Sequence, residues 1–104
     1  MVHFRDSRKR SIRLTDERLQ HLETDHPEMA GLTSHIAETL ANPDRIVRSR
    51  TDATVELFYK WYTATPVTAK FPCVVVKAVL DDLFMITAYH TDAVKRGEIL
   101  WQKT

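Results

Sequence analysis

The sequence predicts an α+β domain: two or three N-terminal helices packed on one face of a four-stranded antiparallel sheet, with a short C-terminal helical turn. Three observations lead there. Apolar residues fall at helical spacing between positions 15 and 41, the pattern alternates from 45 onward, and Asn42-Pro43-Asp44 breaks the chain between the two regimes. Helices followed by a run of strands is the order of a meander covered on one side.

Residues 1–9 read as a basic, mobile arm, and 10–104 as a single domain whose first residues, 10–14, form an extended stretch. Thr15 is placed to cap a helix over about 16–24, with Asp16 and Glu17 favoured at its positive start and Leu19 and Leu22 on one face. Pro27 opens a short turn that Gly31 stops, and Thr33 or Ser34 caps a helix with Ile36, Ala37 and Leu40 as its apolar face. Four strands follow: RIVRSR, ATVELFYKWY, PCVVVKAVL and LFMITAYH, with a two-proline loop over 64–72 between the second and third. Thr91 caps the closing turn, Gly97 stops it, and EILW adds a last strand or a packing segment.

The third and fourth strands are joined around Asp81-Asp82, and burial decides their register, because a one-residue slip exchanges the faces. A two-residue Asp-Asp turn would push Thr87 and Tyr89 into the apolar face. An odd-numbered loop or a bulge instead pairs Val76 with Ala88 and Lys77 with Thr87, leaving Lys77, Thr87 and Tyr89 together on the open face. His90 then points to the opposite side.

Composition narrows the function. At 104 residues the chain builds one modest core. No apolar run approaches the ~20 residues of a membrane span and no secretory leader is visible, so a cytoplasmic location with no membrane partner is expected. Cys73 is the single cysteine and reads as a buried small hydrophobe. Glycine occurs only at 31 and 97, which excludes a phosphate-cradling glycine loop, and neither paired CxxC nor HExxH is present. No metal and no cofactor are therefore expected. The net charge of +1 conceals two arginine-rich stretches, 5–13 and 45–50, that suit a phosphate-bearing partner.

Five histidines are available, at 3, 21, 26, 35 and 90. Each alone has a structural explanation. In combination with cations and hydroxyls, a histidine supplies what RNA cleavage through the 2′-hydroxyl requires without a metal, and general acid or base catalysis contributes about 10²–10⁴ in rate.

The segments IRLTDERLQHLETDHPEM, IAETLANPDRIVRS, LFYK, VVVK and FMITAYHTDAVKRGEILW occur in that order over roughly residues 10–101. In these the chain resembles small prokaryotic and phage-associated proteins of the barnase–EndoU–colicin–RelE nuclease group (BECR fold). The resemblance implies metal-independent RNA cleavage, in some members as a toxin with an antitoxin or immunity-type partner. It places His21 at the group's first-helix histidine, His26 in HPE, Lys60 in LFYK, Lys77 in VVVK, Thr87 and Tyr89 in TAY, and Thr91 and Lys95 in the closing segment. The chain departs from the group at Leu19-Gln20, where an aromatic residue is expected. The expected catalytic set is His21, Lys77, Thr87 and Tyr89. The expected RNA-binding set is His26, Arg45, Arg48, Arg50, Lys60 and Lys95. The alternatives are a non-catalytic nucleic-acid- or protein-binding module on the same fold, or a scaffold whose interface is Trp61, Tyr62 and Trp101. An enzyme requires His21 to converge with Lys77, Thr87 and Tyr89 on one cleft, whereas a binding module requires only a basic, aromatic face.

Overall fold

The computed structural model describes residues 1–61 and 71–103. Tyr62 and residues 64–70 of the expected loop lie outside the described residues. In chain order the elements are β1 (Val2–Arg5), β2 (Ser11–Leu14), α1 (Asp16–Asp25), a 3-10 turn (Pro27–Met29), α2 (Thr33–Ala41), β3 (Arg45–Arg48), β4 (Val55–Tyr59), β5 (Phe71–Val79), β6 (Asp82–Thr91) and β7 (Ile99–Gln102).

The helical half follows its local signals. Thr15 caps α1 by accepting a hydrogen bond from the Arg18 N–H at 3.2 Å. Gly31 takes the left-handed conformation, φ 75°, that ends the 3-10 turn. Neither Thr33 nor Ser34 caps α2: Leu32 holds that position without a side-chain bond.

The sheet differs from expectation. Among the described residues it has seven strands in the order β1-β2-β6-β5-β4-β3-β7, and it is mixed, not four-stranded and antiparallel. The four strands from β3 to β6 form the expected meander, but β2 joins β6 in parallel at Arg13–Phe84, and β7 adds antiparallel to β3. Segment 1–9, expected as an arm, contains β1, which pairs antiparallel with β2 and buries Phe4. Both edge additions are only four residues long, too short for alternation to distinguish them from extended loops. The expected C-terminal helical turn is absent. Thr91 instead closes a local turn, its hydroxyl accepting from the Ala93 N–H at 3.2 Å.

Two apolar clusters cover the two faces of the sheet. Phe58, Val74, Val76, Met85 and Ala88 meet Leu22, Met29, Ile36 and Leu40 from the helical layer. Leu57, Tyr59 and Cys73 form the second cluster, against which Val94 packs from the segment before β7. The second face is thus partly covered.

The β5–β6 register also departs from expectation. The chain reverses at Leu80-Asp81, so Asp82 already belongs to β6 opposite Val79. Val74 pairs with Ala88, Val75 with Thr87, Val76 with Met85 and Lys77 with Phe84, with a bulge at Ile86. Arg13 holds the early start of β6 by a two-pronged bond to the Asp82 carboxylate, at 3.0 and 2.8 Å. No helix among the described residues is long and apolar enough to cross a membrane.

Candidate functional site

The site begins with a single buried residue on a polar helix. Leu22 is the one residue of α1 that is buried, and it docks the helix beside β6. Side chains three and four positions away share its face. Arg18 and Asp25 therefore border the same contact, and His21 stands next to it. His26 ends the helix, and Pro27 behind it forces the backbone out of helical geometry, φ −131° and ψ 72°. That exit carries the His26 ring onto Tyr89, with centroids 5.7 Å apart.

The opposite wall comes from the bulge in β6. Strand alternation would send Ile86 and Thr87 to opposite faces, but the extra residue leaves Met85 and Ala88 in the helix-side core and releases both intervening residues from it. Ile86 and Thr87 consequently meet Arg18, His21, Asp25 and His26 around one cleft of about 570 Å³. Glu17 also borders it, its carboxylate 3.8 Å from His21 Nε2. Glu28 lies 3.9 Å from His26 Nδ1. The side chain of His21 is 66% exposed and that of His26 34%, so both imidazoles are within reach of a ligand.

Of the four expected catalytic residues, this cleft unites His21 with Thr87. Lys77 shares a sheet face with Thr87 but is directed to Asp52, with Nζ 3.4 Å from its carboxylate. Hydrogen bonds from the Thr54 hydroxyl and N–H, more than Lys77, hold the Asp52 pKa below the usual carboxylate range. Tyr89 adjoins the cleft through its ring contact with His26, while burial and the neighbouring Cys73 push its phenol pKa upward. It is a packing partner of His26.

The expected binding residues separate into groups. His26 lines the α1–β6 cleft. Arg45 stacks over Trp61 at 5.9 Å. Arg48 is bonded to Glu98 at 2.8 Å and to the Ala53 carbonyl at 2.9 Å. Lys60 donates to the Asn42 carbonyl at 3.0 Å and lies 3.9 Å from Glu38. Arg50 and Lys95, far apart in sequence, meet with Arg96 in a second cleft of about 280 Å³ over Leu57.

Sequence reasoning missed Arg18 and Arg96. The spacing of Arg18 from Leu22 could have revealed the first. Nothing local could reveal the second, because its placement depends on how segment 92–98 packs. Among the described residues no group of three or more histidine, cysteine or acidic side chains is arranged to hold a metal ion. Comparison with protein-family models, curated proteins and solved structures finds no significant match for the chain.

Proposed function

We propose that the α1–β6 cleft is the active site of a metal-independent endoribonuclease. The observation that carries this reading is the convergence of two imidazoles, His21 and His26, with the Arg18 guanidinium and the Thr87 hydroxyl on one cleft. One imidazole takes the proton of the RNA 2′-hydroxyl, and the 2′-oxygen attacks the adjacent phosphorus. The bond to the 5′-oxygen breaks, the other imidazole protonates that leaving oxygen, and a 2′,3′-cyclic phosphate results. Arg18 offsets charge on the phosphorane and Thr87 donates to a non-bridging oxygen, roles that a preorganised site performs without reorganising at the moment of reaction. Lys77 and Tyr89 have no chemical role in this scheme. The group resemblance supports the same activity and adds a toxin-like role with an antitoxin-type partner.

The test is incubation of end-labelled RNA with the purified protein in excess EDTA, beside His21→Ala and His26→Ala. Cleavage with cyclic-phosphate ends, reduced about 10²–10⁴-fold in each variant, is expected. Intact RNA with the unaltered protein, or equal cleavage by His21→Ala, refutes the assignment.

One observation favours the second reading, an RNA-binding module without catalysis. Glu17 and Asp25 give the histidine cleft more carboxylates than guanidinium groups, while Arg50, Lys95 and Arg96 gather elsewhere. That reading predicts binding without cleavage.

A further inference from the structure

The rim of the histidine cleft is poorly suited to gripping a polyanion. Glu17 and Asp25 both border it, and Arg18 is the one arginine or lysine among the described lining residues. If this cleft handles RNA, as proposed above, much of the affinity must come from another surface.

The second cleft has the required character. Arg50, Lys95 and Arg96 surround it with Ser49 and Thr51 over a floor provided by Leu57. All three cations are exposed. Among the described residues none of the three side chains has a carboxylate partner, although carboxylates are near in sequence. Asp52 is engaged by Thr54 and Lys77, and Glu98 by Arg48. These two acids are thus committed elsewhere, and among the described residues no ion pair joins the exposed Asp92 to any of the three cations, whose charge is left for a ligand.

The cluster is built into the fold. Gly97 lies so close to β3 that a Cβ there would collide with the Arg48 carbonyl and come within 2.8 Å of Val47 Cγ1. The Glu98 carbonyl accepts the Arg48 N–H at 2.8 Å, and the Tyr59 hydroxyl accepts the Lys95 N–H at 3.1 Å. These contacts hold Lys95 and Arg96 against the Ser49–Thr51 turn.

The two clefts also share a line across the sheet. Leu57 pairs with Val75, and Val75 pairs with Thr87. Adjacent strands lie ~4.8 Å apart, so the backbones of Leu57 and Thr87, which border the two clefts, are about 10 Å apart across the sheet. A single nucleic-acid strand can cross that distance.

We infer that Arg50, Lys95 and Arg96, with the Ser49 and Thr51 hydroxyls, form a phosphate subsite that holds the backbone of single-stranded RNA one short step from the histidine cleft. The inference rests on the proposed RNA-directed function for its ligand. Its test separates it from the chemistry.

The probe is an RNA of about eight nucleotides carrying 2′-O-methyl groups, within the usual site size of a small binding domain and resistant to 2′-hydroxyl attack. Binding is followed by fluorescence anisotropy at several salt concentrations. Arg50→Ala/Arg96→Ala is expected to weaken binding about tenfold or more, and to lower the salt slope by about 0.7 for each arginine removed. Arg5→Ala/Lys9→Ala removes two positive charges from the opposite end of the sheet and is expected to bind as the unaltered protein does. The subsite is overturned if the unaltered protein does not bind the probe, if Arg50→Ala/Arg96→Ala binds normally, or if both pairs weaken binding equally. Equal competition by polyglutamate at matched charge overturns its assignment to nucleic acid. Loss of binding in Arg50→Ala/Arg96→Ala, with no cleavage of unmodified RNA by the unaltered protein, removes the catalytic reading and leaves this subsite standing.

Discussion

Cys73 shows how surroundings govern a reactive side chain. It is fully buried on β5, between Tyr59 on one neighbouring strand and Tyr89 on the other. Burial pushes its thiol pKa up to about 11, although hydrogen bonds from the two tyrosine hydroxyls and the charge of Lys95 pull the other way. The thiolate is the reactive species, and at pH 8 only about one thiol in a thousand ionises at such a pKa. The native protein should therefore react with a disulfide reagent at least about 100-fold more slowly than the denatured chain. Prompt labelling of the native thiol would show that the second-face cluster opens readily. The burial of Cys73 was legible in the sequence because it stands in an apolar run. The roles of Lys77 and Tyr89 were not. Their shared face with Thr87 followed from alternation, but Asp52 lies 25 residues from Lys77, and sequence distance alone does not place its carboxylate there.

Among the elements, the β5–β6 hairpin determines what the histidine cleft can contain, and its turn carries a local cost. Leu80 has φ 53° and is 97% exposed. A leucine gains nothing there from burial, and left-handed backbone costs a residue with a bulky side chain about 1–2 kcal/mol. Asparagine tolerates this conformation better. Leu80→Asn should stabilise the fold by about 0.5–1 kcal/mol, with a Tm rise of about 4–8 °C per kcal/mol for a domain of this size. An unchanged or lower Tm would refute the strain argument. The same turn explains why the predicted register failed. Asp81-Asp82 is a strong turn signal, and the favourable left-handed candidates are glycine and asparagine, so a reversal through Leu80 contradicts local preference. The clash between Thr87 and the apolar face led to the expectation of an odd-numbered loop or a bulge; a bulge occurs, at Ile86 and in a different register, and it brings Thr87 to the cleft. Helix α1 was legible through Thr15, its acidic start and Leu22. Strand β2 was legible only as an extended stretch over 10–14 and β7 only as one of two readings of EILW, whereas β1, four residues in a strongly charged stretch, was not legible at all.

Across the whole molecule, the first ten residues act as a clasp. The loop between β1 and β2 reaches the helical layer, where the Ser7 N–H donates to the Leu40 carbonyl at 2.9 Å. Asp6, whose side chain is fully buried, accepts from the Arg8 and Arg10 N–H groups at 3.0 and 2.8 Å and from Arg10 Nε at 2.8 Å. This shapes the loop so that Arg8 and Arg10 both reach Glu56 on β4, with Arg10 Nη2 2.7 Å from its carboxylate. Strands β2 and β4 are separated in the sheet by β6 and β5, so the clasp joins regions that the strand ladder connects only indirectly. Burial alone would raise the Glu56 pKa, but the hydrogen bonds and charges of Arg10 and Arg8 prevail and hold it below its ordinary value of 4.5. A carboxylate depressed in the folded state stabilises above its unfolded pKa, and that contribution fades as pH falls through the folded value. Glu56→Gln should therefore cost about 1.5–3 kcal/mol at pH 7, the range of hydrogen bonds to charged groups. The cost should shrink progressively below about pH 4.5, as the unaltered protein loses the same interaction by protonation. Urea unfolding of both proteins at pH 7 and in the acid range measures this convergence. Two stability curves that stay parallel from pH 7 into the acid range would mean that Glu56 does not hold the N-terminal clasp by its charge.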